Sequence, residues 1–462
     1  MKKPLTIFLL SCVALALAYG AASYWVGERA RQQYDQMVER INQTNYLKGS
    51  TKSYERGLFS SKALTTFTLV LPEGGDAIQF SLVNSIYHGP LVLLMNPHVK
   101  VGLRPALAEV QMRLVPGEST GALKKVLEKI PELESSEISV VILYDGGGES
   151  YLEVPPFKKT VSDDKGGELK LEWGGFTGKF KYDPPLGHMS GSFGSPFLQI
   201  TEQGDQLRIK DIQADFNSRP GVKGITVGST AISIGSIEGA EQDNASFNLT
   251  SLGIKAESAV TGETINGSFG LSFDKLDAGG LGLGPSVMEF EARKLDPEVL
   301  SHLQGLVLEL ERKTPGKTDS STDEIDALFR KTILDLLVKS PEFEIKQLRA
   351  KTDKGDLSGT AKVAFASGKD VPEKALAILG SIDASAELSV AEALLFFTVE
   401  NAIRSGSKVD AKSAKASANG LVLGLMAAKY ITLENGSFKS SATFKRGVLT
   451  VNGHKLDLSR LH

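Results

Sequence analysis

The chain is poor in the residues that usually reveal chemistry. Of its 462 residues only Cys12 is a cysteine, so beyond that position a disulfide framework, a thiol nucleophile and a cysteine metal site are all excluded. Its six histidines, His88, His98, His188, His302, His454 and His462, are scattered and form neither an HExxH nor an HxH arrangement, which argues against a metalloprotease or structural zinc site. Charge of one sign is missing too. The formal net charge is −3, from 52 Lys and Arg against 55 Asp and Glu, so no global field draws in nucleic acid or another polyanion. Aromatics make up 7% while glycine reaches 47 residues, a balance that suits many short turns between strands better than a helical bundle. No fixed-period repeat stands out, so a solenoid is not expected.

The longest apolar run lies at the N-terminus. Residues 4–26, "PLTIFLLSCVALALAYGAASYWV", carry no charge, and about 23 helical residues suffice to cross a hydrocarbon core of roughly 30 Å. The flanking charges, Lys2 and Lys3 before it and Glu28, Arg29 and Arg31 after it, tilt weakly toward a cytoplasmic N-terminus. Two readings compete with an uncleaved signal anchor over residues 1–27. "LLSC" (9–12) is a loose lipoprotein-processing box, and "ALA" (16–18) has the small-residue pattern of a signal-peptidase site. The apolar run continues past both and ends in the interfacial aromatics Tyr24 and Trp25, so the anchor leads. Residues 28–48 are charged and helix-prone, with Tyr34, Met37, Val38 and Ile41 near helical spacing. They are expected to form a stalk that lifts the body off the membrane.

From Ala63 the hydrophobic period becomes two. In "ALTTFTLVL" (63–71) both faces are semi-apolar, and similar segments recur up to "SVMEFEARKL" (286–295), separated by Gly, Asn, Asp or Pro turns. Helices are expected over 121–130, over 296–313 with an Asp-Pro start, and over 321–340 with a capping-box-like start at Ser321 or Thr322 before Glu324. Two further apolar helices are expected from Ser389 and from Asn419, before a terminal hairpin, "SFKSSATFKRGVLTVNGHKL" (437–456). Phe396, Phe397, Leu421, Leu423, Leu425 and Met426 concentrate apolar side chains there, either as helices covering a sheet or as a lipid-lined groove. The linker "KTPGKTDSS" (313–321) is a domain boundary or the loop of a helical hairpin, the loop being favoured. The expected fold is therefore α+β and β-dominated: an N-terminal transmembrane helix and stalk, then a body over 49–462 built on a long, curved, mostly antiparallel sheet covered in part by helices.

Two glycine-containing motifs fail inspection. "GGLGLGP" (279–285) lacks phosphate-loop spacing and reads as a β-turn or bulge, and "SFGSP" (192–196) is not the GxSxG of a nucleophile elbow.

The most distinctive residues are "YERGLFSS" (54–61) and "VNSIYHGPL" (83–91). They resemble the YdgA-like family of bacterial inner-membrane proteins, whose members carry an aromatic-x-Arg/Gln-Gly-aliphatic-Phe-Ser-Ser turn followed by His-Gly-Pro. "LGPSVMEFEARKLDPEVL" (283–300) and "FKRGVLTVNGHKL" (444–456) extend the resemblance over the chain. Ile86 and Tyr87 depart from it, because an acidic residue or Thr often precedes the histidine in the family. The family is a domain of unknown function, and the resemblance implies a Gram-negative envelope location with the body in the periplasm.

The candidate site is this motif pair: Tyr54, Arg56, Gly57, Phe59, Ser60, Ser61, His88, Gly89 and Pro90. Gly57 is expected at positive φ and Phe59 buried. Arg56 is expected to meet either a carboxylate or carbonyls of the His88-Gly89-Pro90 turn, were the two segments adjacent strands. A sheet-opening corner is the favoured reading over a ligand site. No catalytic constellation, metal or cofactor is expected. The expected function is a non-enzymatic, inner-membrane-anchored periplasmic protein, attached through residues 4–26, that binds a hydrophobic ligand such as lipid along its sheet. The alternative is a scaffold or regulatory protein contacting other envelope proteins.

Overall fold

The computed structural model describes residues 3–42, 47–70, 77–94, 102–115, 117–162, 168–184, 187–240, 247–278, 281–312, 321–365, 379–407 and 410–456. Twenty-three strands belong to one antiparallel hydrogen-bonded sheet. Six α-helices accompany it among the described residues. Contacts divide the chain into two units: Met1–Gln203 with Gln213–Arg219 and Leu308–Ser321, and Gly204–Ile212 with Pro220–Val307 and Thr322–His462. The linker considered at 313–321 lies outside the described residues except for Ser321.

The first unit opens with one helix, α1 (Lys3–Asn42). It runs without a break through both the expected anchor and the expected stalk. Val26, Ala30, Tyr34 and Val38 repeat at intervals of four, and all are buried. That spacing puts them on one stripe, and the stripe packs against Ala63, Ile86, Ala108, Val110, Met112, Val140 and Ile142. Where a stalk is expected, the helix ends at Asn42, a strand starts at Leu47, and Val26, Ala30, Tyr34 and Val38 are core residues. The reason is energetic, since each fully buried Val or Tyr stabilises the fold by about 1.5–3 kcal/mol. Among the described residues no helix is long and apolar enough to cross a membrane.

The strands of this unit are β1 (Leu47–Arg56), β2 (Ser60–Leu69), β3 (Ile78–His88), β4 (Val92–Leu94), β5 (Gly102–Arg104) and β6 (Ala108–Leu114). After α2 (Gly121–Lys129) come β7 (Glu137–Ile142), β8 (Gly148–Val154), β9 (Phe157–Ser162), β10 (Glu168–Trp173), β11 (Phe176–Asp183) and β12 (His188–Glu202). Pairing runs β1–β2–β3–β6–β7–β8–β11–β12–β10–β9, while β4 and β5 form a separate pair. On β2 the alternation separates buried Ser61, Ala63, Thr65 and Phe67 from less buried Lys62, Leu64 and Thr66, so a single face of this strand is fully covered.

A long strand, β13 (Asp205–Pro220), has residues in both units. The second unit continues with β14 (Thr226–Ala240), β15 (Phe247–Thr261), β16 (Thr264–Phe273), β17 (Lys275–Ala278), β18 (Leu281–Leu295), α3 (Pro297–Arg312), α4 (Ser321–Val338), β19 (Glu342–Thr352), β20 (Gly355–Phe365) and β21 (Ile382–Ala391). It ends with α5 (Glu392–Ser407), α6 (Ala411–Ala427), β22 (Thr432–Glu434), β23 (Ser437–Lys445), β24 (Val448–Val451) and β25 (His454–Leu456). The Asp296 cap is confirmed, its Oδ1 accepting the Glu298 and Val299 backbone N–H groups at 3.0 and 3.1 Å. Residues 389–391 belong to β21 rather than to the helix expected from Ser389. The helix expected from Asn419 begins earlier, at Ala411, where the Asp410 carboxylate accepts the Ser413 N–H.

Cross-strand register makes this part of the sheet two-faced, because directly opposed residues share a face. One row reads Ile232, Ile254, Leu271, Met288, Leu348, Gly359 and Leu388. The adjacent row on that face reads Ala256, Phe269, Phe290, Ile345, Ala361, Ala386 and Ala442. The opposite face carries Glu257, Ser268, Glu291, Glu344, Lys362, Ser385 and Thr443, laced by Arg293 to Glu291 and Glu344. At one end of the apolar face α5 sets Phe396 edge-on to buried Phe438, their centroids 6.0 Å apart. On that face Ile232 and Phe269 are each 36% exposed and Leu388 is 44% exposed.

Candidate functional site

The two halves of the motif do meet. Strand β2 pairs with β3 so that Ser60 lies opposite Tyr87 and Ser61 opposite Ile86, and the His88 N–H closes the corner on the Phe59 carbonyl at 3.0 Å. In the preceding turn the Gly57 N–H donates to the Ser60 carbonyl at 2.9 Å. Gly57 does not have the expected positive φ. Its requirement is steric instead: a Cβ there would lie 2.4 Å from the Ser60 carbonyl oxygen. Phe59 also departs from expectation. It is 51% exposed and its neighbour Leu58 47%, because the two form the tip of the turn beyond the paired ends of β1 and β2.

His88 sits beneath α1, buried, with the ring so close to the helix that a Cβ on Gly27 would stand 2.6 Å from its Cε1. Its Nε2 lies 2.9 Å from the Ser61 hydroxyl, and its buried Nδ1 makes no hydrogen bond. Burial pushes the His88 pKa down, the backbone of Ser23 works against that shift, and the charge of Arg56 adds to it. Among the described residues no carboxylate bonds either ring nitrogen, as the orienting carboxylate of a nucleophilic triad would.

Arg56 reaches a carboxylate, as one of its two expected roles requires, and the carboxylate belongs to α1. Its guanidinium donates to Glu28 at 2.5 Å and to the Tyr24 carbonyl at 2.7 Å, and it stacks 3.9 Å from the Tyr24 ring centroid. The carbonyls of the His88-Gly89-Pro90 turn have other donors. The Tyr144 hydroxyl donates to the Gly89 and Pro90 carbonyls at 3.0 and 3.2 Å, and the Tyr19 hydroxyl donates to that of Leu91 at 2.9 Å. Tyr54 packs on the core beside Tyr34, with the Arg31 guanidinium 5.2 Å from its ring centroid. Burial raises the pKa of its phenol.

Several residues that complete the arrangement were not singled out by sequence as site residues. Tyr34 crosses from α1 into the sheet, its hydroxyl bonded to Thr65 and accepting from the Asn84 amide at 2.8 Å. Tyr19, Tyr24, Glu28 and Tyr144 belong to the same assembly. Helical spacing placed Tyr34 in line with Met37, Val38 and Ile41, yet nothing in a spacing pattern says that a buried hydroxyl needs partners on strands 31 and 50 residues away. Taken together, these contacts form a clasp that fastens α1 across the start of the sheet.

The other motifs read as structure. Residues 192–196 lie inside β12, where buried Ser195 accepts from the Trp173 indole at 2.8 Å and donates to the Gly175 carbonyl at 2.7 Å. Gly279 and Gly280 lie outside the described residues, and the strands on either side pair Ala278 with Leu281. Among the described residues no three His, Cys, Asp or Glu side chains are grouped to hold a metal.

The chain is 22% identical over 487 residues to Protein YdgA of Escherichia coli strain K12, a match that covers 96% of this chain and 93% of that protein. No solved structure matches. The profile of the family described as "Bacterial protein of unknown function (DUF945)" matches residues 1–459, and the chain belongs to that family.

Proposed function

We propose that this chain is a non-enzymatic protein of the cell envelope, anchored in the inner membrane by residues 4–26 with its body in the periplasm, and that it holds a hydrophobic ligand such as lipid against its sheet. The observation that carries this reading is the two-faced sheet of the second unit, with Ile232, Ile254, Leu271, Met288, Leu348 and Leu388 in one row across the apolar face. Exposure at Ile232, Phe269 and Leu388 leaves apolar surface for an acyl chain to cover. Register shifts at Glu289/Phe290 and Ile345/Leu348 add local bend and twist to these strands, which favours a surface curved around a chain.

The test is to purify the full chain in mild detergent and identify bound lipid by mass spectrometry. Bound lipid is expected in the parent protein, and its loss in a Phe269→Glu, Leu388→Glu variant that keeps the parent's circular dichroism. Equal lipid in both, or none in either, would sink the carrier reading.

A further inference from the structure

We infer that the corner formed by the Leu58–Phe59 turn and Leu91 lies in the interfacial layer of a lipid bilayer, so that the first unit rests on the membrane surface. This inference rests on the membrane-anchor reading and adds to it where the body sits. Three observations carry it, the first being a matter of length. The uncharged run follows Lys2 and Lys3 and starts at Pro4, and Tyr19 within it bonds the body. From Pro4 to Ala18 there are fifteen residues, about 22 Å of helix at 1.5 Å per residue, against a hydrocarbon core of roughly 30 Å. The turns joined to Tyr19 therefore cannot stand clear of the bilayer that the helix crosses.

The second observation is chemical. Phe59 is 51% exposed, Leu58 47% and Leu91 42%, on loops where burial was available to none of them. Tyr19 of α1 joins them, its ring centroid 6.0 Å from that of Phe59 and its hydroxyl donating to the Leu91 carbonyl, and Tyr24 and Trp25 on the same helix are exposed as well. Aromatic side chains with one apolar and one polar end are the type that collects at the level of lipid headgroups. Third, the exposed apolar residues Val13, Leu15 and Leu17 precede Tyr19 on the same helix. After Trp25 come the next charges of the helix, Glu28 and Arg29, with Arg29 stacked over Trp25 at 4.4 Å. Apolar surface, aromatic belt and charge thus follow one another along a single helix in the order that a bilayer presents hydrocarbon, interface and water.

Cys12→Ser removes the only cysteine, and single cysteines can then be placed at Phe59, at Leu91 and, as a control in the second unit, at the exposed Leu433. Each full-length variant is labelled with an environment-sensitive fluorophore and reconstituted into phosphatidylethanolamine–phosphatidylglycerol vesicles. Labels at Phe59→Cys and Leu91→Cys should shift to the blue, be quenched by a nitroxide placed near the lipid headgroup and resist aqueous iodide. The Leu433→Cys label should show the reverse. Protein that floats with the vesicles while its Phe59→Cys and Leu91→Cys labels behave like the control overturns this inference and leaves the anchor standing. Labels shielded from iodide but not quenched by the lipid nitroxide point to a protein covering the patch and overturn it as well. Failure to float overturns the anchor and this inference together.

Discussion

The Ser61 hydroxyl and the His88 Nε2 lie 2.9 Å apart, on neighbouring strands and both buried under α1. This bond is the point at which the two halves of the family motif become one structure. Removing it leaves the Nε2 of a buried imidazole without its partner on Ser61. Ser61→Ala should therefore destabilise the fold by about 1–3 kcal/mol, read as a lower midpoint in urea. A Ser61→Ala, His88→Phe double variant losing less than the sum of the two single changes would confirm coupling between them. Full additivity would count against it.

His88 also predicts a pH dependence. Its folded pKa lies below the ordinary imidazole value because of burial, so above about pH 6.5 both the folded and unfolded states hold it neutral and stability is flat with pH. As pH falls through that value the unfolded chain takes up a proton that the folded chain refuses, and stability drops until the folded pKa is passed. The melting temperature should fall on going from neutral pH into this window, and His88→Gln should flatten that part of the profile. An unchanged slope in the variant would show that other groups control it.

Tyr34→Phe tests the attachment of α1. The ring still fills its buried place, while the Thr65 hydroxyl and the Asn84 amide lose the phenol oxygen between them. A loss of about 1–3 kcal/mol is expected, together with faster amide hydrogen exchange along α1. Full protection with unchanged stability would mean that apolar contacts alone seat the helix.

Gly57→Ala isolates the steric demand of the turn. The added methyl would press within 2.4 Å of the Ser60 carbonyl, so the turn must open, at about 1–3 kcal/mol. Because Gly57 is not at positive φ, Asn or Asp, which tolerate the left-handed region, should rescue no better than Ala.

Much of the architecture is legible from local pattern. Period-two segments such as "EISVVILYD" and "FTGKFKY" become β7 and β11, because alternation is a property of a single strand. Cap chemistry located α3 through Asp296. The first turn of α6 escaped notice because "AKSAKAS" has no strong apolar stripe; its buried positions are Ala414 and Ala418, small residues that mark close packing only once a neighbouring helix is in place. The packing of α1 on the sheet was hidden for the opposite reason. Its stripe was visible, but periodicity does not tell what a stripe packs against.

The sequence by itself determined the β-dominated class, the motif pair and the family, since each rests on residues close together along the chain. Only the tertiary structure decided what those residues do to one another: that Arg56 takes its carboxylate from Glu28 on α1, that Phe59 faces outward, and that the apolar residues of seven strands in the second unit fall on one face. These facts depend on register and helix docking. Both are set by the summed burial of surfaces far apart in the chain, which no local window of residues contains.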